Sequence, residues 1–104
     1  MSRKRQKQDK MLIGILTVEL FIPDSHSLKE KRAVVKGLKE RIRHRFNVSV
    51  AETDYHELWQ RAEVKFLMGS MSKKILDSTF DSIVNFIANA NNGSVLGNYS
   101  IEVI

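Results

Sequence analysis

From Leu12 to Phe21 apolar residues recur at every second position, and the run stops at Ile22-Pro23-Asp24-Ser25-His26-Ser27-Leu28-Lys29-Glu30-Lys31-Arg32, where a strongly basic segment begins. Alternation of this kind is the mark of a β-strand, whose side chains point to opposite faces with period two. Ser27 followed three residues later by Glu30 forms a capping box, because each side chain can satisfy a backbone donor that the start of a helix leaves orphaned. A strand therefore has to end and a helix has to start within a few residues. Leu28, Val35, Leu38 and Ile42 then recur at helical spacing on one face, up to about Arg45.

The remaining elements follow by the same reasoning. The segments 46–55 and 60–69 are rich in β-formers, and the polar interval from His56 to Trp59 suits a hairpin connection. Ser72 is placed to cap a second helix with an apolar stripe of Leu76, Phe80, Ile83, Val84 and Ile87, and Asn91-Asn92-Gly93 stops it. Val95, Tyr99, Ile101 and Val103 read as a final strand. The order βαββαβ predicts an α+β, ferredoxin-like fold, a four-stranded antiparallel sheet with two helices on one face. Leu16, Val18, Val64, Phe66, Ile101 and Val103 form the expected inward set. Their neighbours Ile13, Ile15, Leu67 and Ile104 then cluster on the uncovered face, as an interaction patch for a second copy or another partner.

At 104 residues the chain has room for one domain, expected over 11–104. Residues 1–10 have no apolar residue beyond Met1, and they read as a basic, disordered tail. The apolar run from Met11 to Val18 is interrupted by Gly14 and Thr17, well short of the roughly 20 residues of a membrane span. No secretory leader is discernible and there is no cysteine, so a cytoplasmic protein without disulfides, thiolate chemistry or iron-sulfur clusters is expected.

Charge is distributed unevenly. The tail carries Arg3, Lys4, Arg5, Lys7 and Lys10 against Asp9. Residues 29–45 carry eight cations against Glu30 and Glu40, whereas the rest of the chain holds nine acids against four bases. Such asymmetry points to an anionic partner. In the predicted topology the turn after the first strand, the hairpin and the turn after the second helix share one end of the sheet with the amino end of the first helix, where free N–H groups favour an anion. The expected anion- or nucleic-acid-binding residues are Ser25, His26, Ser27, Lys29, Lys31, Arg32, Lys36, Lys39, Arg43 and Arg45, with Trp59 and Arg61 at the rim.

Catalytic patterns are lacking. His26, His44 and His56 have no metal-ligand spacing, so no metal is expected. The five glycines form no phosphate loop, and no cofactor is implied. Acylphosphatases share this order of elements, but Pro23-Asp24-Ser25-His26 lacks their glycine-rich loop and arginine. The third strand, from Arg61 to Met68, also lacks the glycine and aromatic pattern of an RNA recognition motif, so any RNA contact is expected through phosphates.

Residues 22–32, with Phe46-Asn47-Val48-Ser49-Val50-Ala51-Glu52 and Leu58-Trp59-Gln60-Arg61-Ala62, resemble the YlxP-like family, bacterial proteins of unknown function. The likeness runs from Met11 to Ile104. It implies a ferredoxin-like fold, no established catalytic residues, and a gene neighbourhood of translation and ribosome maturation. The chain departs from the family pattern in its basic extension and in Glu63, Lys65 and Phe66 of the third strand. Taken together, these features lead to an expected non-enzymatic, RNA- or ribosome-associated accessory factor. The alternative is a dimeric module that binds a small molecule or anion.

Overall fold

The computed structural model describes residues 10–104, so all but Lys10 of the expected basic tail lies outside the described residues. The elements are β1 (Leu12–Phe21), α1 (Leu28–Arg45), β2 (Ser49–Asp54), β3 (Arg61–Ser70), α2 (Lys73–Ala88) and β4 (Val95–Val103). All strand pairs are antiparallel and the sheet order is β2-β3-β1-β4, the ferredoxin-like arrangement. Strands β2 and β4 are the sheet edges.

The transition after β1 forms as the capping box requires, with one variation. The Ser27 hydroxyl accepts from the Glu30 N–H at 3.0 Å, but the Glu30 carboxylate reaches one residue further back and accepts from the His26 N–H at 2.8 Å. Helix α2 is capped by Ser72, whose hydroxyl accepts from the Ile75 N–H. Gly93, at φ 94°, takes the left-handed backbone that the stop after α2 requires.

Leu16, Val18 and Leu20 of β1 meet Ala62, Val64 and Phe66 of β3 beneath Val35, Leu38 and Ile42 of α1 and Leu76, Phe80, Ile83 and Ile87 of α2. Apart from the small Ala62, each such fully buried side chain contributes roughly 1.5–3 kcal/mol relative to exposure. Gly14 sets how closely α2 approaches β1, since a β-carbon there would lie 2.7 Å from Leu76 and Phe80 side-chain atoms.

Two expectations about strands need correction. β2 begins at Ser49, not Phe46, because the Phe46 N–H donates to the Ile42 carbonyl and its ring packs edge-on to Phe86. Ile101 is not core: it is 38% exposed, as Tyr99 is 50%, because β4 is an edge strand that the helices leave partly uncovered. The outer face of the sheet does carry the expected patch. Ile15 lies opposite Leu67, Ile13 exchanges both backbone hydrogen bonds with Ile104, and Ile13, Leu67 and Ile104 are exposed.

Candidate nucleic-acid interface

Helix α1 presents three distinct stripes, read from its spacing of 3.6 residues per turn. Leu28, Lys31, Val35, Leu38 and Ile42 follow one another at intervals of three and four and face the sheet. Lys29, Arg32, Lys36, Lys39 and Arg43 follow the same intervals one position on, so they form a parallel row over about 21 Å of helix. Four of these five cations are exposed and Lys39 is half-buried. Among the described residues none is in an ion pair, since the three pairs present are Lys31–Glu52, Arg61–Glu19 and Lys73–Asp77. Arg41 and Arg45 lie roughly 180° around the axis from that row, on the flank that meets α2.

Lys31 is the clearest departure from the sequence-based expectation. It was placed among the phosphate ligands, but its side chain is 1% exposed and its ammonium contacts Glu52 Oε2 at 2.8 Å and donates to the Tyr55 carbonyl at 2.8 Å. It sits in the inward stripe of α1, and Glu52 lies opposite core-facing Val64, so the two charges meet between helix and sheet. This ammonium cannot reach a ligand. Sequence reasoning missed it because Lys31 was grouped with the other cations; its place in the 28-31-35-38-42 series was the available signal.

Of the three segments expected at the rim, the turn after β1 and the hairpin are joined, and part of that rim is committed to structure. Gln60 Nε2 donates to the carbonyls of Pro23 and Ser25, both at 3.0 Å, and the Ile22 N–H donates to the Gln60 carbonyl. Ser25 is buried and its hydroxyl donates to the Ser27 carbonyl, so Ser25 is not available to an anion. Ser27 is the helix cap. His26 is exposed, as is Trp59 at 53%, beside Phe21 and Leu58 around a hollow of about 500 Å³. Asn92 lies apart from this hollow, next to Ala33, Val34, Gly37 and Arg41 on the flank of α1.

Arg61 faces the outer side of the sheet, where its Nε donates to Glu19 Oε2 at 2.6 Å and its guanidinium stacks 4.1 Å from the Tyr55 ring centroid. The hydrogen bond to Glu19 raises its pKa above the ordinary arginine value, against a smaller opposing effect of burial. Arg61 is thus engaged by protein groups. Tyr55 itself has φ 63°, uncommon for a large side chain. Its carbonyl accepts from both Lys31 and the Leu58 N–H, which fixes that backbone.

At the carboxyl end of α1 lies a feature of which the sequence-based expectation held Arg45 but neither Arg41 nor Phe86. The Arg41 and Arg45 guanidiniums sit 5.0 and 5.4 Å from the Phe86 ring centroid, and Phe46 meets the same ring edge-on with centroids 6.3 Å apart. A groove of about 730 Å³ opens here, lined by Glu40, Arg41, His44, Arg45 and Phe86. The i, i+4 spacing of the two arginines was legible; the aromatic partner from α2 was not. Among the described residues no group of three or more histidine or acidic side chains is arranged to hold a metal ion, and no helix is long and apolar enough to cross a membrane.

Solved structures similar to the chain at 11% identity include two de novo designed proteins. The de novo designed protein Foldit4 has a TM-score of 0.49 and the alignment covers 91% of this chain and 97% of that one. The de novo designed protein Ferredog-Diesel has a TM-score of 0.45, with coverage of 98% and 93%. Among curated sequences, the uncharacterized protein YlxP of Bacillus subtilis is 37% identical over 76 residues, 73% of this chain and 83% of that protein. Residues 13–98, spanning β1 to the middle of β4 and thus nearly the whole folded region, match the family described as protein of unknown function DUF503. The chain belongs to the DUF503 family, with YlxP among its relatives.

Proposed function

We propose that the protein is a non-enzymatic, cytoplasmic RNA-binding accessory factor, acting on ribosomal RNA or a ribosomal particle, whose principal contact is the row Lys29, Arg32, Lys36, Lys39 and Arg43. The observation that carries this reading is that five aligned cations have no acidic partner among the described residues, although acids are plentiful elsewhere in the chain. A solvated face needs no such alignment, whereas a phosphate backbone rewards it through counterion release. Trp59 and His26 extend the contact at the amino end of the helix. The resemblance to proteins encoded among translation genes agrees with this partner.

The test is a salt titration of binding to a ribosomal RNA fragment. Five neutralised phosphates give a log-log slope of about −3.5 to −4.5, from −0.7 per contact on single strands to −0.9 on duplex. Lys36→Glu with Arg43→Glu should abolish binding at moderate salt. A flat slope, or unchanged affinity in that variant, refutes the proposal.

A dimeric binding module is the second reading, favoured by the apolar patch of Ile13, Ile15, Leu67 and Ile104 on the outer face. Light scattering decides it. Ile15→Asp with Leu67→Lys halves the mass if the patch is a dimer contact and leaves it unchanged otherwise.

A further inference from the structure

We infer that Arg41 and Arg45, held against Phe86, form a second phosphate clamp on the far flank of α1, which takes a backbone phosphodiester of the same RNA; this rests on the RNA-binding reading. Both guanidiniums lie over one ring, at 5.0 and 5.4 Å. A guanidinium stacked on an aromatic uses its face, while its N–H donors lie in its plane and point outward from the edges. A guanidinium held over the ring still carries N–H donors that the ring does not satisfy, and the contact restricts the rotamers that binding would otherwise have to order. Phe86 is fixed in turn by the edge-on ring of Phe46, so the clamp is assembled from both helices.

The groove at this point is open, and among the described residues no ion pair engages either arginine. Glu40 is the only acid lining it. The charged donors lining the groove include two guanidiniums, whose planar forks match phosphate oxygens. The contact therefore reads phosphate and not sequence. Its position opposite the Lys36 and Arg43 row means that a strand crossing the carboxyl half of α1 meets cations on both flanks, across a helix about 10–12 Å wide.

Three variants measured by fluorescence anisotropy on one ribosomal RNA fragment test the clamp. Arg41→Lys with Arg45→Lys keeps the charge but loses the planar fork; roughly three- to tenfold weaker binding at an unchanged salt slope is expected. Arg41→Ala with Arg45→Ala should also flatten the slope by about 0.7 to 0.9, the contribution of one phosphate. Phe86→Leu should weaken binding and Phe86→Tyr restore it, each with thermal denaturation recorded so that a change in folded fraction is corrected. Wild-type affinity in both arginine variants, alongside loss of binding in the Lys36→Glu and Arg43→Glu variant, overturns the clamp and leaves the helix row standing. No binding by the wild-type protein overturns both.

Discussion

Lys31→Met is the substitution whose consequence the structure specifies most fully. It removes an ammonium that is 1% exposed and leaves Glu52, 15% exposed, with an inward carboxylate oxygen that has no hydrogen-bond partner. Breaking a buried ion pair from one side costs about 3–5 kcal/mol, and partial exposure of Glu52 puts this case near 3. Loss of the bond to the Tyr55 carbonyl is partly offset, since the Leu58 N–H still donates there. At about 4–8 °C per kcal/mol for a domain of this size, Tm should fall by roughly 12–24 °C.

Glu52→Leu alone should destabilise by a comparable amount, because it strands the ammonium. The double variant Lys31→Met with Glu52→Leu replaces both charges by apolar groups and should return to within about 1 kcal/mol of the starting protein. Urea unfolding of all four proteins yields the coupling energy, expected at about 5 kcal/mol. Additive single effects, or a Lys31→Met protein within about 1 kcal/mol of the parent, would refute the assignment of Lys31 to structure. The double variant should also bind RNA with parental affinity, since a buried ammonium contributes no phosphate contact.

Two glycines give opposite outcomes for the same substitution. A β-carbon at Gly37, inside α1, meets nothing within 4 Å, so Gly37→Ala should stabilise by about 0.5–1 kcal/mol through helix propensity, read by thermal melting. Gly14→Ala drives a methyl into Leu76 and Phe80 and should cost about 1–3 kcal/mol in the same assay. Removing the cap with Ser27→Ala should cost about 1 kcal/mol, seen as a lower urea midpoint at unchanged slope.

The fold was legible where local chemistry and tertiary demand agree. β1 spans the expected Leu12 to Phe21, and Ser27 and Ser72 cap the two helices as their spacing requires. Phe46 illustrates the opposite case: a good β-former was recruited by the end of α1 and by Phe86, so tertiary packing overrode propensity. Ile101 failed for a geometric reason, since alternation assigns a face but not whether a helix covers it at the edge of a sheet. The cationic row was legible as composition, yet its division into a buried lysine, a solvent-facing stripe and a clamped pair depends on which flank meets β2 and which meets α2. Lys31 and Glu52 each break an inward apolar series, and two such breaks on facing elements were the one sign of a hidden pair.

The two margins of the sheet are unequal. β2 is six residues long and carries Glu52 and Asp54, whereas β4 has nine residues, Glu102 as its sole charge, no proline, and exposed Val95, Tyr99 and Ile101. Short, charged borders discourage strand addition and long uncharged ones invite it. Because only one margin is inviting, recruitment of a like strand consumes the inviting margin of both molecules at once. Growth by that route stops at a pair and cannot run on into a fibre.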